Sequence, residues 1–240
     1  MKVICSIKDI ERQGWALAFQ HQGHEFSFFD QHVSIHNACQ LFRPDIFIHQ
    51  DDMTNRSIQN ACNKYGVMML HIKHYNLPIC ANSYSYQRQN QDSQENFIAV
   101  FAEKPTQSGI ELVNKLKWQH DLRIFSTTRW PFNEYCGFLN PEQFAIICST
   151  AKACVVASEV PHALHYNACL CGANLLTMSD MEIGTAIKDD LTKILDPRNL
   201  FLKQMMDYTF VKQYRDCRII PKLIEEIYEQ EKCGHSAGQN

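Results

Sequence analysis

The sequence lacks any apolar run of about 18 residues, the length that a helix needs to cross a bilayer. Its first residues, MKVICSI followed at once by the charged KDIER, lack the layout of a signal peptide. It also lacks GxGxxG and the P-loop pattern GxxxxGK followed by Ser or Thr, which argues against a dinucleotide-dependent oxidoreductase and a P-loop NTPase. We therefore expect a cytoplasmic protein without a membrane span.

A strong charge of either sign is missing as well. The formal net charge is −3, and Lys and Arg are dispersed along the chain. This balance argues against binding nucleic acid or an anionic membrane through bulk positive charge, although it leaves a local basic groove open.

Metal-ligand spacing is absent among the 11 cysteines. Several of them lie inside apolar segments, which is typical of reduced core thiols in a cytosolic protein. Cys169 and Cys171 are too close together for a CxxC motif, and we expect no required metal.

What the sequence does have is a regular alternation of strand-like and helix-like segments. The apolar run Lys2–Ile7 is followed by a helical pattern over Ile10–Gln22 and a strand pattern over Glu25–Asp30. This β-α-β order implies a parallel sheet with a right-handed crossover. The alternation continues to Ile72 and predicts a doubly wound sheet.

The alternation is interrupted between residues 76 and 96. This segment reads NLPICANSYSYQRQNQDSQEN and has no periodic apolar face, so we expect a linker or a mobile loop. The strand pattern resumes at Phe97–Ala102. The predicted organisation is an N-terminal Rossmann-like domain over 1–78, a linker over 79–96, a C-terminal Rossmann-like domain over 97–230 and a flexible tail over 231–240.

The last quarter of the chain is predicted to be helical. The predicted helices cover Glu182–Leu195, Pro197–Arg215 and Pro221–Gln230.

The stretch from 140 to 177 is the most informative. It predicts a helix over Pro141–Thr150, a strand over Ala153–Ala157, a helix over His162–Cys171 and a strand over Ala173–Thr177. Ligands bind outside the carboxyl ends of strands in open parallel sheets, and a helix N-terminus there offers unpaired N–H groups to an anion. The turn over 158–162 is such a place, although an ordinary crossover would show the same pattern.

A family resemblance enters at these residues. EVPHALHYNACLCGANLLT (159–177) and the preceding YCGFLNPEQFAIICSTAKACVVAS (135–158) resemble the signature of GT-B glycosyltransferases, especially the group-1 and spore-maturation-protein branches. A weaker similarity lies in GWALA from Gly14 and GHEF from Gly23. The resemblance implies an α/β fold of two Rossmann-like, doubly wound parallel-sheet domains (GT-B) with C-terminal helices.

The resemblance also implies an activity. It is the transfer of a sugar, of the hexosyl type, from a nucleotide-diphosphate-sugar donor bound mainly by the second half to an acceptor in the interdomain cleft. The donor is a substrate, and no cofactor is required. A small molecule, a glycan, a protein or modified DNA could be the acceptor, and the oligomeric state and the stereochemical outcome are open.

One departure from the family pattern bears on this activity. The family usually has Glu where this chain has Asn167, and that carboxylate typically holds the donor's ribose. The departure favours one alternative, a non-catalytic nucleotide- or sugar-binding protein with the same fold. A phage-type DNA-modifying glycosyltransferase is the other alternative.

Candidate donor-binding residues follow the predicted strands of the second half. Phosphate charge is met by helix N-termini and by Arg or Lys, and similar enzymes seat the base in the loop after Gly137. The candidates are Lys104, Thr127, Arg129, Phe138, Leu139, Ser158, Glu159, His162, Tyr166 and Asn167. The alternative roles are a solvated loop for the cations, core packing for Phe138 and Leu139, and helix capping by Ser158 or Glu159.

The catalytic candidates are His49, Asp51 and Asp52, at the carboxyl end of a predicted strand in the first half. An inverting transferase needs a general base, and this loop offers an imidazole and two carboxylates. A retaining mechanism would need no such base. A helix cap beside a surface histidine is the alternative role for these residues.

Overall fold

The computed structural model describes residues 1–6, 10–29, 33–49, 56–89, 94–187 and 195–237. The chain divides into two compact units, each built around its own sheet. The first unit comprises 1–78 together with 217–240, and the second comprises 79–216.

The helices and strands alternate through most of the described chain. In chain order they are β1 (Lys2–Cys5), α1 (Ile10–His21), β2 (Glu25–Phe28), α2 (Ile35–Phe42), β3 (Ile46–His49), α3 (Arg56–Tyr65), β4 (Met68–His71), β5 (Glu95–Ala102), α4 (Gln107–Leu116), β6 (Asp121–Ser126), β7 (Tyr135–Gly137), α5 (Pro141–Thr150), β8 (Ala151–Val156), α6 (Ala163–Leu170), β9 (Leu175–Thr177), β10 (Thr185–Ala186), α7 (Pro197–Tyr214) and α8 (Ile220–Ala237). No helix in these described ranges is long and apolar enough to cross a membrane.

The first unit has a parallel sheet in the order β2-β1-β3-β4. On one face, α2 and α3 bury Cys39 and Cys62 against Ile4 and Phe47. Helix α1 packs against α8. Ser34 begins α2 by accepting a hydrogen bond from the Asn37 N–H, as expected for an N-cap serine.

The second unit has a parallel sheet in the order β10-β9-β8-β5-β6-β7. Alternate residues of β5 point to opposite faces, as in any strand. Phe97 and Phe101 pack in one cluster with Phe144 of α5, whereas Ile98 and Val100 pack in another with α4. Helices therefore cover both faces of this sheet, which is the doubly wound arrangement predicted from the sequence.

The chain between 178 and 195 differs from the prediction of a helix over Glu182–Leu195. Residues Thr185–Ala186 form β10 instead, and the Ile187 N–H donates to the carbonyl of Thr177 at 2.9 Å. Gly184 has φ +74°, a left-handed conformation that a helix interior does not contain. Residues 188–194 lie outside the described residues.

The C-terminal helix also differs from the prediction. Helix α8 continues to Ala237, past the predicted end at Gln230 and into the segment 231–240 that was expected to be a flexible tail. Residues 217–230, placed by the sequence in the second domain, belong to the first unit. The reason is packing, because Ile220 and Ile224 of α8 are wholly buried.

The segment 79–96, expected to be a linker, belongs to the second unit. Ala81 and Tyr86 are part of its core, and the Tyr86 ring packs edge-on against Phe144 at 5.2 Å. The buried Ala81 and Tyr86 therefore anchor residues 79–89, the part of this segment before the gap in the described chain, although it has no periodic apolar face.

Candidate functional site

The second sheet changes its winding direction between β5 and β8. From β5 the chain proceeds to β6 and β7 on one side, and from β8 to β9 and β10 on the other. In open parallel sheets, ligands bind outside the carboxyl ends of the strands at this switch point. Helix α4 follows β5 and helix α6 follows β8, so both helix N-termini lie at this edge.

The first turn of α4 is packed closely. The Thr106 hydroxyl caps the helix by accepting a hydrogen bond from the Gly109 N–H at 3.1 Å. A Cβ atom at Gly109 would lie 2.9 Å from Thr106 Oγ1 and 2.9 Å from Cη2 of the buried Trp130. Glycine at position 109 is therefore what allows this turn to approach Trp130.

Helix α6 begins at His162 rather than at Ser158 or Glu159, which the sequence offered as caps. The Leu164 N–H donates to His162 Nδ1 at 3.2 Å, and the His162 N–H donates to His165 Nδ1 at 3.2 Å. Ser158 instead donates from its hydroxyl to the carbonyl of Val160 at 2.9 Å. Two histidines thus perform the reciprocal capping that Ser and Glu perform in other helices.

Glu103, directly after β5, is held by residues at or beyond the ends of β6 and β8. Its backbone carbonyl accepts hydrogen bonds from the hydroxyls of Ser126 at 2.9 Å and Thr127 at 2.8 Å. Its carboxylate Oε1 lies 3.2 Å from Nε2 of His162. Glu103 is not among the site residues predicted from the sequence, although its position after the first strand of the second half was a usable signal.

Most of the predicted donor-binding residues lie in the loops at this same edge. Lys104 and Arg129 are exposed in the loops after β5 and β6. Glu159 is exposed in the loop after β8, and its carbonyl accepts a hydrogen bond from the Ser179 hydroxyl at 2.6 Å. The edge therefore presents both cations and helix N-termini.

Phe138 and Leu139 differ in their surroundings. Gly137, at φ +104°, ends β7, and Phe138 beside it has 61% of its surface exposed. Leu139 is partly buried against the cluster that contains Phe144. Phe138 is thus open to a ligand, whereas Leu139 has the core-packing role.

Tyr166 lies in a part of α6 that is buried on all sides. Its hydroxyl donates to Glu182 Oε1 at 2.7 Å, and Arg215 binds both carboxylate oxygens of Glu182 at 2.8 Å. Burial would raise the pKa of Glu182, but hydrogen bonds from Arg215 and Tyr166 lower it. Burial, together with this carboxylate, raises the pKa of Tyr166, so its hydroxyl stays protonated and engaged within the unit.

Asn167 is wholly buried. Its Oδ1 accepts a hydrogen bond from the Asn82 N–H at 2.9 Å, and Asn82 Oδ1 in turn accepts from the N–H groups of Tyr84 and Ser85. The side chain at this position therefore holds the segment around Asn82 against α6.

We expect Asn167→Ala to lower the free energy of unfolding by about 1–2 kcal/mol, because the buried Asn82 N–H loses its acceptor. Urea denaturation would measure this change. The exposed Asn114 on α4 provides the control, since Asn114→Ala should change the stability by less than about 0.5 kcal/mol. Equal effects of the two substitutions would contradict the role given to Asn167.

In the first unit, two histidines lie at neighbouring strand ends. His49 of β3 is the register partner of His71 of β4, and their rings are 4.9 Å apart at 74°. The His74 N–H donates to His71 Nδ1 at 3.3 Å, so the ring hydrogen of a neutral His71 is on Nε2. Asp51 and Asp52 lie outside the described residues. In the part of the chain that the structure describes, no group of three or more His, Cys, Asp or Glu residues is arranged to hold a metal ion.

Comparison with known proteins gives matches of structure only. No protein-family model matches the sequence, and no curated protein matches it significantly. AviGT4, a glycosyltransferase involved in avilamycin A biosynthesis, matches with a TM-score of 0.62 and 11% identity over 98% of each chain. A DNA-modifying β-glucosyltransferase, whose substrate is uridine diphosphoglucose, matches with a TM-score of 0.58 and 7% identity over 95% of this chain and 100% of that chain. These similarities confirm the predicted α/β fold of two Rossmann-like domains of the GT-B type.

Proposed function

We propose that this chain is a glycosyltransferase that transfers a hexosyl group from a nucleotide-diphosphate sugar. The observation that carries the proposal is the meeting of two helix N-termini, those of α4 and α6, at the switch point of the second sheet. The fold shared with two glycosyltransferases supports the reaction class.

The diphosphate is the part of the donor that this edge suits best. Unpaired N–H groups at a helix N-terminus and the positive end of the helix dipole both favour an anion. Arg129 and Lys104, in the loops after β6 and β5, add positive charge. We assign the nucleotide base to the exposed ring of Phe138, which offers an aromatic face for stacking.

We assign acceptor activation to His49 in the first unit. In an inverting transfer, a neutral imidazole takes the proton of the acceptor hydroxyl while its oxygen bonds to the anomeric carbon. The bond from that carbon to the phosphate oxygen breaks, and the nucleoside diphosphate leaves. Asp51 and Asp52 stay predictions for the same role, and the branch of the family and the acceptor are unassigned.

A thermal-shift panel of nucleoside diphosphates and their sugars, with UDP-glucose first, tests the proposal. A ligand present at 100 times its Kd stabilises the native state by about 2.7 kcal/mol, so at least one compound should raise the Tm clearly. We expect Arg129→Ala to weaken that ligand roughly tenfold by removing a cation from the diphosphate. Isothermal titration would measure the change.

Lys115→Ala is the matched control, because Lys115 is an exposed cation in the last turn of α4, at the other end of that helix. It should bind the ligand as the wild type does. Absence of a shift with every nucleotide would refute the proposed function.

A further inference from the structure

We infer that Glu103 binds the ligand directly and that its carboxylate accepts hydrogen bonds from the vicinal hydroxyls of a sugar. The sugar is either the ribose of the nucleotide or the transferred hexose, since both present such a diol. This inference rests on the proposed function, because it concerns the same edge of the second sheet.

The backbone of Glu103 is fixed in place. Ser126, the last residue of β6, and Thr127, in the loop that follows it, donate to its carbonyl at 2.9 and 2.8 Å. Two hydroxyls that donate to one carbonyl in an exposed loop contribute little to the stability of the core. They do fix the backbone that carries the Glu103 side chain at the switch point. Sites whose supporting residues are fixed in advance lose less entropy on binding.

One oxygen of the Glu103 carboxylate is held in place, whereas the rest of the group is open to solvent. Since the Leu164 N–H donates to His162 Nδ1, the ring hydrogen of a neutral His162 is on Nε2 and can be donated to Glu103 Oε1 at 3.2 Å. The Glu103 side chain nevertheless keeps 71% of its surface exposed. An exposed pair of this kind contributes only about 0–1 kcal/mol to folding, so stability does not explain the arrangement.

The charge of Glu103 indicates which part of the ligand it binds. A carboxylate repels a diphosphate and therefore does not serve as a phosphate ligand, whereas a sugar hydroxyl donates to a carboxylate in a strong, charge-assisted hydrogen bond. A carboxylate next to an anion site thus marks the position of the neutral, hydroxyl-bearing part of the ligand.

Two other side chains at or near this edge fit the role less well. Asn167 is wholly buried, and its oxygen is engaged by Asn82. Glu159 is exposed in the loop after β8, and the hydrogen bond from Ser179 holds its backbone carbonyl rather than its carboxylate. Glu103 combines a fixed backbone, an oriented carboxylate and exposure.

The test compares the wild type with Glu103→Gln by isothermal titration. The probes are UDP, ADP and GDP, their 2′-deoxy counterparts, UDP-glucose and inorganic pyrophosphate. If the diol is the ribose, the substitution should weaken a ribonucleoside diphosphate roughly tenfold and leave its 2′-deoxy counterpart unchanged. If the diol is the hexose, the loss should be confined to UDP-glucose. Pyrophosphate should bind as well or better, because a negative charge has been removed.

The control is Glu111→Gln, at an exposed glutamate on α4 whose partner is Gln107. It should leave every affinity unchanged, and both variants should unfold at the wild-type Tm. If Glu103→Gln binds all nucleotides as tightly as the wild type, the inference is overturned while the proposed function stands. If the wild type binds none of the probes, the proposed function fails and the inference fails with it.

Discussion

Gly184→Ala is expected to lower the free energy of unfolding of the second unit by about 3–4 kcal/mol. Gly184 has φ +74°, where a Cβ atom costs about 1–2 kcal/mol. The added Cβ would also lie 2.6 Å from Cγ2 of Thr177 and 3.2 Å from Leu175, and overpacking of this kind costs about 1–3 kcal/mol.

A hydrogen bond adds to this cost. The Gly184 N–H donates to Oδ2 of Asp207 at 3.0 Å, and Asp207, which is 2% exposed, has Lys203 as its other partner. Any backbone shift that relieves the clash with Thr177 pulls this N–H away from a buried carboxylate. A backbone shift at Gly184 therefore cannot relieve the clash without weakening this hydrogen bond.

Urea denaturation followed by tryptophan fluorescence would measure the loss. Gly137→Ala is the matched control in the same unit, because Gly137 also has a positive φ, of +104°, but no atom lies within 4 Å of the position of an added Cβ. Gly137→Ala should lower the free energy of unfolding only by the conformational strain, about 1–2 kcal/mol. If the two alanines destabilise the unit equally, the clash with Thr177 does not decide the stability at Gly184.

The second large effect is a loss of stability in mild acid that depends on His165. Burial lowers the pKa of this wholly buried side chain from its usual 6.5 to about 4. The folded protein thus keeps His165 neutral where the unfolded chain protonates it. Above the unfolded pKa of 6.5, the titration of His165 does not reduce the free energy of unfolding. As the pH falls toward the folded pKa, the free energy of unfolding decreases, and the loss reaches about 2–3 kcal/mol at pH 4.5.

The measurement is the free energy of unfolding from pH 7.5 to 4.5 for the wild type and for His165→Gln. Glutamine can still accept the His162 N–H at this third helical position, so it keeps the cap while removing the titration. The variant should have a flatter profile than the wild type. An unchanged slope in His165→Gln would show that other groups cause the acid sensitivity.

Most of the strands and helices, and their alternation, follow from local features of the sequence. Apolar runs and their periods are local properties, and so are caps. The predicted helix Pro141–Thr150 has the observed bounds, because Asn140 and Gln143 form a capping box around Pro141. The alternation of β and α segments predicted parallel, doubly wound sheets, and it placed Lys104, Arg129 and His162 in loops after their strands.

Which polar groups meet depends on the tertiary fold. Glu103 is fixed by Ser126, Thr127 and His162, which are between 23 and 59 residues away along the chain, and no local pattern indicates such contacts. The same applies to Asn167, whose partner is Asn82.

Tertiary packing also determined the structure of two segments that the local sequence pattern predicted wrongly. Thr185–Ala186 pairs as β10 because Gly184 interrupts the predicted helix, and α8 joins the first unit because its apolar face is buried there. A sequence pattern states which side chains must be buried. The partner that buries them is chosen by the whole chain, because the burial of apolar surface is non-directional and any complementary face can satisfy it.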